Sequence, residues 1–330
     1  MLHPAIEKAY SILNHTPLAR ELAEELTRIS GEDILDLLSL ANKVKNSYRA
    51  ESHVCSIINA KSNLCGEKCS YCAQSAVSTA EIPTFPLLEP DDILADAQKL
   101  YADGVRSYGI VTSGIGYMSI NPEFEKILRT IELLHQELPE LKVCAGLGIL
   151  SQETAEALAQ VKIEHYNHNL QVNPEKYATL VSDSHTIEER IQTLRYLKKA
   201  GVKLCSGGIF GLGESLSDRV ALAFTLKNLD VDVIPLNVLI AVPGTPLENK
   251  KPISASEAAL SFALFRLILP DKLLKFAAGR ETLMKDFQGL LMLCGINGFL
   301  TGGYLTTRGR SLAEDRELIV QLEQFSHAKR

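Results

Sequence analysis

The chain of 330 residues is 46% hydrophobic and 22% charged, enough apolar content for a large buried core. Its formal charge of −6 comes with interspersed signs and no basic stripe, so nucleic-acid binding has no electrostatic support. Apolar runs such as VDVIPLNVLI are too short to span a bilayer, the N-terminus MLHPAIEKAY lacks the regions of a signal peptide, and seven unevenly spaced cysteines argue against a disulfide framework, so a reducing cytoplasm and no membrane partner are expected.

Residues 1–50 read as helices, with Leu and Ala at helical spacing in LARELAEELTRI and EDILDLLSLANKVKNSY. Short β-like runs then begin at Val54, Ser107, Leu141, Ile163, Val202, Val231, Lys272 and Ile296. Amphipathic helical patterns fill the gaps, among them DDILADAQKLYADG, SQETAEALAQ and TIEERIQTLRYLKKAG, several opened by Ser, Asp or Thr with an acid near the third position. Alternation of this kind predicts an α/β fold, a (β/α)8 TIM barrel with an N-terminal helical extension. The expected division is a helical segment over 1–50, the barrel over 51–310 and a C-terminal helix over 311–330. An open doubly wound sheet is the alternative.

Cys65, Cys69 and Cys72 lie in LCGEKCSYCAQ, spaced CxxxCxxC. A [4Fe–4S] cluster usually takes four thiolates and a structural zinc site pairs two separated halves, so a compact loop of three suits a four-iron cluster with one iron left open. A chance grouping, or half of a zinc site, is the mundane reading. An aromatic at the position of Tyr71 is what radical S-adenosylmethionine (SAM) enzymes use to border the adenine, and LCGEKCSYC resembles that superfamily's signature. The loop follows the first strand, where barrels carry their chemistry. Alternation along HYNHNL turns Asn167 and Asn169 to one side and His168 to the other, which makes His168 structural. Cys55, Cys144 and Cys205 fall on the odd strands one, three and five, and alternate strands share a layer of a barrel interior, so these thiols can converge although each alone reads as a buried hydrophobe. At about 3.3 Å per residue, Cys55 lies on the order of 20 Å below the top of its strand. Arg280, at the end of strand seven, completes the odd set and needs an acidic or thiolate partner if buried.

The strings CSYCAQS, YNHNL, LCSGGIFGLGE, PLNVL, GTPL, AGRE and YLTT occur in order over roughly residues 50–310. Together they resemble the biotin synthase family. The resemblance implies a homodimeric radical SAM barrel that converts dethiobiotin to biotin, with Cys65, Cys69 and Cys72 holding the [4Fe–4S] cluster and SAM chelating its free iron. It assigns Tyr71, Asn169, Arg190 and Ile209 to SAM, and Asn167, Asn237 and Thr306 or Thr307 to dethiobiotin. An auxiliary cluster, [2Fe–2S] in the common form, is implied at Cys144, Cys205 and Arg280. Flavodoxin or ferredoxin is the implied electron donor.

Four positions depart from the family pattern. The strand-two cysteine is replaced by Gly109, with Ser107 where an arginine is often found, while Cys55 stands where strand one commonly carries serine. A ligand moved from strand two to strand one is expected, which could admit a four-iron auxiliary cluster. Gln171 replaces a common aspartate, and Cys294 reads as structural. The competing readings are another radical SAM barrel, of the hydrogenase maturase or methylornithine synthase type, and a noncatalytic iron–sulfur or zinc protein that binds a partner.

Overall fold

In the computed structural model, which describes residues 1–48, 52–303, 305 and 309–325, eight parallel strands run in sequence order around a barrel. They are β1 (His53–Lys61), β2 (Ser107–Thr112), β3 (Lys142–Gly146), β4 (His165–Asn167), β5 (Lys203–Cys205), β6 (Val233–Val238), β7 (Leu273–Phe276) and β8 (Gly298–Leu300). β8 returns to pair with β1, setting His53 opposite Gly298 and Cys55 opposite Leu300, while its other edge pairs with β7. Closure of the sheet excludes the open doubly wound alternative. The strands read as apolar runs because both faces are covered; all of β6, VIPLNV, is buried.

A helix follows each strand. Ser151, Thr186, Ser215 and Ser311 close capping boxes at the helix starts Gln152, Ile187, Leu216 and Leu312, each cap worth about 1 kcal/mol. The helix Ala255–Ile268 is buried without a break from Ala258 onward. A helix apolar all round needs partners on every side, and this one lies between the barrel and the N-terminal helix Asp33–Tyr48, whose Leu37, Leu40, Ala41 and Val44 are buried. Its Arg266, fully buried, donates to the carbonyls of Gly295, Leu269, Pro270 and Lys272 and to Asn297 Oδ1.

Two expected strands are interrupted where the chain builds its site. The run from Ile163 forms regular ladder structure over His165–Asn167 and, after a break, bridges Gly208 at Gln171, which has φ +70°. The run from Val202 divides into β5 and a short segment, Gly208–Phe210, that resumes the pairing with the end of β6 in the same sheet. Gly207 stands at the division. A Cβ there would lie 1.9 Å from Pro235 O, so the backbones approach as only glycine allows.

Candidate active site

The cysteine loop leaves the top of β1 and is held by local turns, Cys72 N–H donating to Cys69 O (3.2 Å), Ser75 N–H to Cys72 O (3.1 Å) and Ala76 N–H to Glu67 O (2.8 Å). It is moored to the segment 177–185. Ser70 donates from its backbone to Val181 O and from its hydroxyl to Leu180 O, and Lys68 N–H donates to Ser184 Oγ. Glu67 Oε2 accepts from Ser184 Oγ at 2.6 Å and lies 2.7 Å from His185 Nδ1, while His185 Nε2 meets the Tyr177 hydroxyl at 2.7 Å. Residue spacing offered no sign of this mooring, because it joins residues more than a hundred positions apart.

Cys65, Cys69 and Cys72 line one cavity at the barrel mouth together with Tyr71 and Arg190. Burial and the neighbouring Cys72 push the Cys69 thiol up to about 12, against the pull of Arg190, and burial likewise raises Cys72. Cys69 and Cys72 are therefore held toward the protonated thiol when no iron is bound, and metal loading releases protons. Among the described residues no three His, Cys, Asp or Glu side chains are gathered closely enough to hold a single ion; the thiols stand around an open space.

Below the loop, the amides of Asn167 and Asn169 face into the barrel. Asn169 Oδ1 accepts from Gly207 N–H (3.0 Å), and its backbone carbonyl accepts from Arg190 Nε (2.8 Å). Asn167 Nδ2 donates to Asn169 Oδ1 and Cys205 Sγ, both at 3.3 Å. Gln171 Nε2 donates to the Tyr71 hydroxyl (2.7 Å), and Ile209 N–H donates to Gln171 O. Tyr71, Asn169 and Arg190 line the mouth, and Ile209 lines the adjoining cavity, which shares Tyr71 and Asn169 with it. Gln171 Oε1 and His168 Nε2 are buried without a hydrogen-bond partner among the described residues, and both line the mouth. Such atoms suit a polar ligand such as SAM. His168 is thus buried, yet it borders the cavity that was expected to exclude it. Asn237 lines the adjoining cavity while its Nδ2 donates to Gly208 O and its Oδ1 accepts from Ala278 N–H, both at 3.0 Å. One N–H and one lone pair remain.

Asn167, Asn169 and Leu305 are walls shared by the mouth and by a deeper cavity lined by Cys55, Cys144 and Cys205. The three odd-strand thiols therefore meet at one level. Burial pushes Cys144 up to about 11 and Cys205 up to about 12, both opposed by Lys275. Lys275 is the cation of this layer: its Nζ lies 3.2 Å from Cys55 Sγ. Burial works against the ammonium, and the sulfurs of Cys55, Cys205 and Cys144 outweigh it, holding Lys275 above its ordinary range. Alternation along KLLKF, which turns Lys275 inward with Leu273, was the signal that could have found it.

Arg280 stands apart from the cavity of the deep thiols. It does not reach the thiols, because both of its terminal nitrogens are taken by Asp315, at 2.7 and 2.8 Å, with a further bond to Leu300 O and the Phe299 ring beneath. Cys294 is fully buried in the core and donates to Leu290 O. Thr306 and Thr307 lie outside the described residues. A Cβ at Gly109 would stand 3.0 Å from Ile57 Cγ2, so Ile57 fills the space a strand-two side chain would need.

Residues 60–226 match the radical SAM superfamily profile, and residues 235–324 match the biotin and thiamin synthesis associated domain. The chain is 53% identical over 332 residues to a biotin synthase of Pelodictyon phaeoclathratiforme, covering 98% of each, and 54% identical over 327 residues to one of Chlorobium phaeovibrioides, again covering 98% of each. In fold it resembles a methylornithine synthase (TM-score 0.82, 16% identity, 97% of each chain). It also resembles the FeFe-hydrogenase maturase of Carboxydothermus hydrogenoformans (TM-score 0.77, 21% identity), covering 96% of this chain and 77% of that one. Two thiol triads at the two ends of one barrel channel, set beside full-length identity of this size, lead to one conclusion: the chain belongs to the biotin synthase family of radical SAM enzymes.

Proposed function

We propose that the channel carries the whole of a sulfur insertion into dethiobiotin, with an auxiliary iron–sulfur cluster held by Cys55, Cys144 and Cys205 beneath the substrate. The observation that carries this is the vertical order of the channel: Cys65, Cys69 and Cys72 above, Asn167 and Asn169 between, and the deep triad below. When bound, the upper cluster with SAM supplies a 5′-deoxyadenosyl radical, and the deep cluster supplies sulfur.

The chain's own residues do the positioning. Tyr71, Asn169, Arg190 and Ile209 orient SAM against the open iron, Arg190 as the cation for its carboxylate. Asn167 and Asn237 hold dethiobiotin in the middle of the channel, and Thr306 or Thr307 are the further contacts that the family resemblance assigns. The barrel wall keeps the reacting centres close and excludes water. Lys275 takes the part expected of Arg280, a buried cation beside the deep thiolates. The relocation of a ligand from strand two to Cys55 is supported by the crowding at Gly109 and by the place of Cys55 on the same inward face as Ile57. We further infer a homodimer in a reducing cytoplasm, fed by flavodoxin or ferredoxin at the partly exposed cysteine loop; its seven cysteines are all free, and no helix among the described residues is long and apolar enough to cross a membrane.

The test is an anaerobic assay with reductant, SAM and dethiobiotin. Release of 5′-deoxyadenosine and methionine together with biotin is expected. Absence of 5′-deoxyadenosine defeats the radical reading, and its release without biotin defeats the assignment of substrate or sulfur source.

A further inference from the structure

We propose that His165 is a fourth protein ligand of the auxiliary cluster, completing a set of three thiolates and one imidazole. This rests on the reading of Cys55, Cys144 and Cys205 as cluster ligands and concerns what closes that set.

The placement follows from strand register. β4 sets His165 directly beside Cys144 of β3, and two residues on it sets Asn167 beside Cys205 of β5. Alternate residues of one strand share a face, so His165, Asn167 and Asn169 form an inward ladder, and His165 is its lowest rung. It lines the deep cavity with the three thiols. Its Nδ1 lies 3.8 Å from Cys144 Sγ, and its ring meets that of His53 edge-on at 6.5 Å between centroids. Bonds of about 2.1 Å to nitrogen and 2.3 Å to sulfur on one tetrahedral metal put the two ligand atoms about 3.6 Å apart. The observed spacing brings the imidazole within reach of the iron that Cys144 would take.

The other polar groups of the cavity are unsuited to the role. An ammonium offers donors and no lone pair, and that of Lys275 is committed to Cys55. Asn167 spends its amide hydrogens on Asn169 and Cys205, and Ser107 shares a hydrogen bond with Cys144 at 3.7 Å. Arg280 is held by Asp315. Imidazole, by contrast, is a common ligand of iron, and mixed thiolate and imidazole sets are known for iron–sulfur clusters. In a two-iron cluster each iron takes two protein ligands, so three thiolates leave it one short of four, and His165 supplies the missing donor on the iron of Cys144.

The experiment uses the full chain carrying C65A, C69A and C72A, which leaves only the deep site, reconstituted anaerobically with iron and sulfide and reduced by one electron. Pulsed EPR on protein grown with ¹⁴N- and ¹⁵N-histidine is expected to show a strong nitrogen coupling that changes with the label and is lost in the added His165→Ala variant. A cluster present in full but with no label-dependent coupling overturns the proposal, and so does a coupling that survives His165→Ala. Should His165→Ala lose its cluster altogether, His165→Cys decides: an all-thiolate set is expected to shift the midpoint potential to more negative values, and an unchanged potential overturns the proposal. A triple variant that binds no iron defeats the auxiliary-cluster reading itself, and this proposal with it, an outcome distinct from the others by iron analysis alone.

Discussion

Asp315→Ala separates the structural role of Arg280 from the ligand role that spacing alone suggests for it. Arg280 and Asp315 are 5% and 2% exposed and joined by two bonds of 2.7 and 2.8 Å. Removing one partner of such a pair leaves an uncompensated buried charge, which costs about 3–5 kcal/mol. Thr301 Oγ1, which donates to the same carboxylate at 2.8 Å, loses its acceptor as well, adding about 1 kcal/mol. The pair joins the segment after β7 to the helix Leu312–Glu323, so the loss falls on the closing end of the barrel. Urea denaturation of the iron-free, reduced chain reads it directly, with midpoints compared at a common slope. The double variant Arg280→Met/Asp315→Leu should recover most of the stability, since apolar residues of similar volume replace a buried pair at little net cost. It should also load both clusters in full. Recovery of stability with loss of the deep cluster's iron would show Arg280 to be a ligand after all. A loss below about 1 kcal/mol in Asp315→Ala, the size of an exposed pair, would refute the clamp.

Gly207→Ala forces a Cβ to within 1.9 Å of Pro235 O, and should cost about 3 kcal/mol by the same denaturation, whereas Gly66→Ala, in the cysteine loop with nothing within 4 Å, should stay within about 0.5 kcal/mol; equal effects would refute the packing argument. Lys45, buried and beside Arg266, is held down to about 8 from 10.5. The unfolded chain then binds the extra proton between those values, so stability should rise as pH climbs from about 8 to 10.5, by about 3 kcal/mol in all. Lys45→Met should remove that rise and be more stable than the parent at pH 7; parallel pH profiles would contradict it. Cys55→Ala and Lys275→Met should each lower the iron that remains when the upper triad is mutated, and a Mössbauer spectrum of the deep cluster unchanged by Cys55→Ala refutes the relocated ligand.

The barrel was legible because each strand is a short apolar run and each helix begins with its own cap, both local properties of the chain. The upper triad was legible because all three ligands lie on one loop within eight residues. The deep site was legible in part: strand parity brought Cys55, Cys144 and Cys205 to one layer, but the cation of strand seven was sought at Arg280, five positions beyond Lys275. Arg280 is the position that the odd-strand set and the family pattern assign, whereas Lys275 is marked only by the alternation that turns it inward. What decided the matter was Asp315, a carboxylate 35 residues further on, on a helix whose docking no periodicity reveals. The mooring of Glu67 to His185 and Ser184 was illegible for the same reason.

The proposed exchange of Cys55 for a strand-two ligand is supported by layer packing. Ile57 and Gly109 stand opposite each other on β1 and β2, and the interior between them holds one side chain. With isoleucine on β1, a cysteine on β2 would overlap it; with glycine on β2, the thiol must come from elsewhere on the same inward face. Two residues below Ile57, Cys55 meets that condition, and the displacement lowers the thiol by one rung, toward Lys275 and the level of His165. The residues at 55, 57 and 109 are thus packed as one unit, and placing cysteine at Gly109 should require a smaller residue at Ile57 as well. Gly109→Cys alone should destabilise the iron-free chain by about 1–3 kcal/mol through overpacking, and Ile57→Ala beside it should relieve most of that loss. Additive losses in the double variant would show that the two positions do not share the space, and that the ligand moved for some other reason.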